Sequence, residues 1–270
     1  MTDTETTTGN RSGNEDGNEN GNENGNGNGD TGGNGDTGRE EGGGREDGGA
    51  GGEGGKRAAE AEARTRVFYD AIAEEYAQMA CNWLEDRPLE RALLDLYAEL
   101  VGPEGEVADL GCGPGRVTGY LAARGLSAHG LDLSESMLTV ARRENPGLRF
   151  ERGSMLETGA ADGSLAGVVS MYSSIHTPVE LLPALFAEFH RVLRPGGQLL
   201  LAFQVGDAPR TLTEPFGHPV TLDFLRRRPE RMAALLEEAG FAMFSRTVRE
   251  TDEASGELTP HAFLFARKPQ

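Results

Sequence analysis

Between residues 107 and 266, short apolar runs alternate with stretches whose apolar positions recur about every 3.6 residues, and that rhythm leaves few folds open. The first run, residues 107–110, opens straight into a loop with glycines at Gly111, Gly113 and Gly115, followed by a helical stretch closed by Gly125. Residues 127–133 read as a second strand. Ser134 then caps a helix over Met137, Leu138 and Ala141, and residues 148–152 and 165–172 read as the third and fourth strands. Thr177-Pro-Val-Glu180 has the form of a capping box with proline at the first helical position, which predicts a helix running to about Leu193. Arg194-Pro-Gly-Gly197 turns the chain into a strand at 198–204. A helix over 230–239 and two strands, 241–249 and 261–266, complete the pattern. Such alternation predicts an α/β fold: a seven-stranded, mostly parallel sheet with helices on both faces and an antiparallel last strand pair.

Two amphipathic helices precede the alternation, one over 58–80 and one beginning at Pro88 with a stripe of Leu89, Leu93, Leu96, Tyr97 and Leu100. Ahead of them, residues 1–57 are rich in Gly, Asn and acids. Residues 1–55 hold 20 of the chain's 39 glycines and no aromatic side chain, too little apolar surface to offset the entropy of ordering them. A disordered tail over 1–57 and one domain over 58–270 are the expectation. Net charge is −18, and the first 64 residues carry half of it, so the remainder is still acidic, which argues against a nucleic-acid partner. No apolar run approaches the roughly 20 residues that span a bilayer, and a membrane partner is not expected. Cys81 and Cys112 give no disulfide framework, and no Cys/His cluster has metal-ligand spacing. The chain reads as a cytoplasmic protein whose oligomeric state the sequence leaves open.

Alternating glycines let main chain pass close to a ligand, and the helix that follows adds oriented N–H groups. The dinucleotide fingerprint G-x-G-x-x-G fails, because its third glycine would be residue 116, which is Arg116. The loop is instead Asp109-x-Gly111-x-Gly113-x-Gly115, and the next strand ends in Asp132, where an acid can bond both hydroxyls of a ribose. Taken in order, DLGCGPG (109–115), GLDLSESML (130–138), RVLRPGGQLLLAF (191–203) and FYDAIAEEYA (68–77) resemble the motifs of class I S-adenosylmethionine-dependent methyltransferases of the small-molecule type.

The resemblance covers residues 66–268 and implies a Rossmann-like sheet with S-adenosylmethionine as cofactor. By the same resemblance Asp109 meets the methionine ammonium, Gly111 and Gly113 line the methionine moiety, and Gly115 opens the helix. Asp132 binds the ribose, Leu133 and Met137 flank the adenine, and Tyr69 and Tyr76 belong to a lid. Ser154, followed by Met155, stands where many members carry an acid for the adenine amino group. A hydroxyl there gives a weaker bond.

The acceptor pocket falls after the fourth strand, at Tyr172, Ser173 and His176, with His218 in the long segment after the fifth strand. His176 is the candidate general base. Methylation of an oxygen or nitrogen atom of a small organic molecule is the function expected. An NAD-dependent oxidoreductase and a non-catalytic nucleotide-binding module on the same fold remain as alternatives.

Overall fold

The computed structural model describes residues 50–252 and 257–270, with side chains from residue 53 onward, so residues 1–49 of the tail expected over 1–57 lie outside the described residues. Helix α1 (Ala50–Met79) begins before the expected position 58, making residues 50–57 helical. Extending a formed helix costs far less than starting one. The Ala/Glu-rich turns after residue 57 supply the start, and the glycine-rich turns before it extend that helix. Helix α2 (Pro88–Val101) has its proline in the first turn and buries Leu93, Leu94, Tyr97 and Val101.

The alternating region follows: β1 (Glu106–Leu110), α3 (Arg116–Ala123), β2 (Ser127–Asp132), α4 (Glu135–Glu144), β3 (Arg149–Arg152) and β4 (Leu165–Met171). Ser134 caps α4 as expected, its hydroxyl accepting the Met137 N–H at 3.1 Å. The capping box at Thr177–Glu180 does not form. A 3-10 turn, Val179–Leu181, comes first, and α5 (Leu182–Val192) starts only after it. Pro183 is the reason: without an N–H it cannot bond the Val179 carbonyl, so no α-ladder runs through it from Thr177.

Strand β5 (Leu193–Gln204) leads to a hairpin, β6 (Arg210–Thr213) and β7 (Thr221–Phe224), then α6 (Pro229–Glu238), β8 (Ala242–Arg249) and β9 (His261–Arg267). The seven-stranded sheet has the order β3-β2-β1-β4-β5-β9-β8. The five strands from β3 to β5 run parallel, and β9 is antiparallel to both of its neighbours. Helices α5 and α6 pack through Leu185, Phe186, Phe189, Met232 and Leu236 on one face. Helices α2 and α3 pack through Leu94, Tyr97 and Leu121 on the other. The β6–β7 hairpin forms a sheet of its own and meets α1 through Leu222, Phe68 and Ile72. Strand order reverses between β1 and β4, so the sheet's ligand crevice opens beyond the carboxyl ends of those two strands. Among the described residues no helix is long and apolar enough to cross a membrane.

Candidate active site

The loop after β1 carries its three glycines for three different reasons. Gly111 has φ +75°, and a Cβ there would lie 2.2 Å from the Ser173 Cβ across the strand-order reversal. Ser173 is fixed in place, its hydroxyl donating to the Leu110 carbonyl at 2.7 Å and sharing a 2.6 Å bond with Ser170. Gly113, at φ +53°, has nothing within 4 Å of where a Cβ would stand and borders a cavity. Gly115 does not line that cavity. It is the N-cap of α3, where it opens the helix as expected, and its bare Cα packs against Phe150 and Ala141.

Asp132 organises this loop from the end of β2. One carboxylate oxygen accepts the Gly113 N–H at 2.8 Å and the other the Ser134 N–H at 2.9 Å. Burial raises its carboxyl above the usual carboxylate range, and these backbone bonds oppose the rise. Asp109, 1% exposed, accepts the Thr118 hydroxyl at 2.6 Å. Burial pushes its carboxyl up to about 7, again against the pull of a hydrogen bond.

A pH dependence follows from Asp109. The folded chain keeps that proton up to about pH 7, whereas the unfolded chain releases it near 4. Between those values the folded state binds more protons, so stability falls as pH rises through the window. Asp109→Asn, which preserves an acceptor for Thr118, is therefore expected to melt above the wild-type protein at pH 8 and level with it at pH 4. A variant that melts lower at pH 8 contradicts this.

The cavity, about 410 Å³, lies at the reversal point under α1. Of the residues singled out from sequence, Asp109, Gly111, Gly113, Asp132, Leu133, Met137, Met155, Tyr69, Tyr76, Tyr172, Ser173 and His176 line it. Ser154 does not. Its hydroxyl bonds Glu62 of α1 and accepts the Leu156 N–H at 2.9 Å, and Glu62 is the group that reaches the cavity. His218 does not line it either, because its Nε2 faces Glu75 on α1 at 3.1 Å. Arg116 ties α1 to α3, donating to the Ala80 carbonyl at 2.9 Å and lying over the Tyr76 and Trp83 rings.

His176 sits between α1 and the hairpin. Its Nδ1 is 3.3 Å from the Asp223 carbonyl, which can only accept, so Nδ1 carries the hydrogen. Nε2 is then free to accept the Tyr69 hydroxyl at 2.9 Å. Burial pushes the imidazole down to about 4, so it is neutral at pH 7, and the same burial raises the Tyr69 phenol well above its ordinary value. Tyr172 has φ +61°, a strained backbone for a bulky side chain. Its ring meets Trp83 and Phe263, and its hydroxyl is 3.0 Å from His261 Nδ1.

Sequence reasoning missed several lining residues: Glu62, Gln204, Arg210, Arg226 and His261. Gln204 had a usable signal, a polar residue at the carboxyl end of β5, and Arg226 another, the basic run at residues 226–228.

The family described as "Methyltransferase domain" matches residues 107–197. Trans-aconitate 2-methyltransferase of Rhizobium meliloti is 35% identical over 129 residues, covering 46% of this chain and 47% of that one. Demethylmenaquinone methyltransferase of Beutenbergia cavernae is 31% identical over 178 residues, covering 58% of this chain and 72% of that one. The chain spans about half the length of most of the curated relatives it matches. Among solved structures, the 1,6-didemethyltoxoflavin-N1-methyltransferase of Burkholderia thailandensis, with its substrate and S-adenosylhomocysteine bound, has a similar fold. Its TM-score is 0.60 at 19% identity, over 79% of this chain and 91% of that one.

Proposed function

Given that this chain belongs to the class I S-adenosylmethionine-dependent methyltransferase family, we propose that it transfers a methyl group from S-adenosylmethionine to an oxygen or nitrogen atom of a small organic acceptor. One observation carries the reading: beside the Asp132 carboxylate, Gly113 presents bare main chain to a cavity in a space that a Cβ would fill. The donor set suits the nucleoside. Asp132 has lone pairs left for ribose hydroxyls, and Asp109 is a buried acid that a ligand ammonium would hold ionised. Leu133 and Met137 offer apolar walls to an adenine, with Met155 beside them, and Tyr69 and Tyr76 close the space from α1. Glu62, held by Ser154, supplies an acid for the adenine amino group where Ser154 itself has only a hydroxyl.

When bound, the cofactor supplies a methyl group on a sulfonium, an electrophile with a good leaving group. The protein's part is to align the acceptor and exclude water, and such positioning is worth on the order of 7–11 kcal/mol of barrier. The neutral Nε2 of His176 reaches the cavity through the Tyr69 hydroxyl and can draw a proton from a protic acceptor by that route. His176→Gln is expected to lower kcat about 100-fold while S-adenosylhomocysteine binding stays within twofold. An unchanged kcat removes His176 from the chemistry.

The catalytic domain of this reading is residues 58–270, in the cytoplasm, without a nucleic-acid partner. The relatives named for trans-aconitate and demethylmenaquinone support a small acceptor, as does the acidic charge of the chain. Calorimetric titration is the test. S-adenosylhomocysteine should be taken up and NAD should not. The converse result favours the oxidoreductase alternative, and no uptake of either ends the reading.

A further inference from the structure

The arginines around the site divide into two groups. Arg87 pairs with Glu257, Arg228 with Asp207 and Arg249 with Glu257 and Glu90, while Arg116 and Arg227 donate to backbone carbonyls. Arg210 and Arg226 also line the cavity, yet among the described residues neither guanidinium has an ion-pair or hydrogen-bond partner. Arg226 is half-buried and its Nε is fully buried without a partner. Its stem is held in place, because it packs where Gly206 lacks a side chain: a Cβ on Gly206 would lie 2.9 Å from the Arg226 Cδ. Gln204 lines the same cavity, and its Oε1 is likewise buried and unpartnered. The three residues come together through the chain's own pairing. Arg227 N–H bonds the Gln204 carbonyl at 2.9 Å, and Arg210 opposes Phe224 in the β6–β7 ladder.

Arg226 Nε and Gln204 Oε1 are sealed from the cavity, whereas the terminal nitrogens of Arg226 and the Nε2 of Gln204 are accessible and equally without a protein partner among the described residues, which leaves donors free for a ligand. Arg210 is exposed and served by water, but in a chain carrying 44 acids against 26 bases the half-buried Arg226, unpaired at the cavity, needs a reason. We infer that the methyl acceptor is a small carboxylic acid, its carboxylate received by Arg226 and Arg210 and by the Gln204 amide. The Nε2 of Gln204 is the accessible end of that amide and donates as it stands. The forked guanidinium matches a planar, two-oxygen anion. A doubly charged phosphate monoester suits the site less, since Asp109 and Asp132 line the same cavity. The inference rests on the methyl-transfer reading and names the acceptor class for it.

The test uses protein saturated with S-adenosylhomocysteine and a panel of mono-, di- and tricarboxylic acids, each beside its methyl ester, with phosphate monoesters as a further arm. Binding is read as a thermal shift. At least one acid is expected to stabilise the protein while its ester does not. Arg226→Gln is expected to weaken that acid at least tenfold and Arg226→Lys to recover part of the loss, both with unchanged S-adenosylhomocysteine affinity. The inference is overturned if no acid binds the loaded protein, if esters or phosphate monoesters bind as well as the acids, or if the Arg210→Gln/Arg226→Gln double variant binds the acid like wild type. Failure of the wild-type protein to take up S-adenosylhomocysteine is a separate result that removes the methyl-transfer reading itself.

Discussion

Asp132→Ala is expected to weaken S-adenosylhomocysteine binding about 100-fold. The carboxylate is bonded to two backbone amides, Gly113 N–H at 2.8 Å and Ser134 N–H at 2.9 Å, so it sets the shape of the loop as well as facing the cavity. Hydrogen bonds to a charged group contribute about 1.5–3 kcal/mol each. On the proposed ribose role, losing those contacts removes about 3 kcal/mol, which is the factor of 100. Asp132→Asn keeps one acceptor oxygen and should fall between the two. Calorimetry decides: an alanine variant that binds within fivefold of wild type shows that the ribose is held elsewhere.

The second large effect concerns stability. Gly111→Ala places a methyl 2.2 Å from the Ser173 Cβ and 2.9 Å from its hydroxyl oxygen, at a backbone φ of +75°. Ser173 cannot move aside without giving up its bonds to the Leu110 carbonyl and to Ser170, which join β1 to the segment after β4. Overpacking of this kind costs about 1–3 kcal/mol and backbone strain adds about 1 kcal/mol or more. At about 2–4 °C per kcal/mol for a domain of this size, Tm should fall by about 5–15 °C. Gly113→Ala is the counterpart. Nothing lies within 4 Å of its added methyl, so only φ strain applies and Tm should hold within a few degrees, while nucleoside affinity drops as the methyl enters the cavity. If the two variants melt together, the division of labour between these glycines is wrong.

The parallel sheet was legible because its strands are buried on both faces and therefore read as continuous apolar runs. Strand β4, buried from Leu165 to Ser170, is the clearest case. The glycine loop and Asp132 were legible as well, since the need for bare backbone is written locally. What failed was nonlocal. Gly115 is required by Phe150 and Ala141, which arrive from β3 and α4. The Thr177 capping box is the exception, defeated locally by Pro183 six residues on. The β6–β7 hairpin gave no signal because its strands are short and only Leu222 among their residues is buried, against α1 rather than against the main sheet. Arg210 was hidden with it.

Helix α1 is joined to the molecule on two flanks. Asp70 accepts the Ser134 hydroxyl at 2.6 Å and Glu74 pairs with Arg143 on the α4 side, while Phe68 and Ile72 pack on Leu222 and Tyr69 bonds His176 on the hairpin side. Displacing α1 from over the cavity would break both sets of contacts together, so loosening either flank alone leaves the helix tethered by the other.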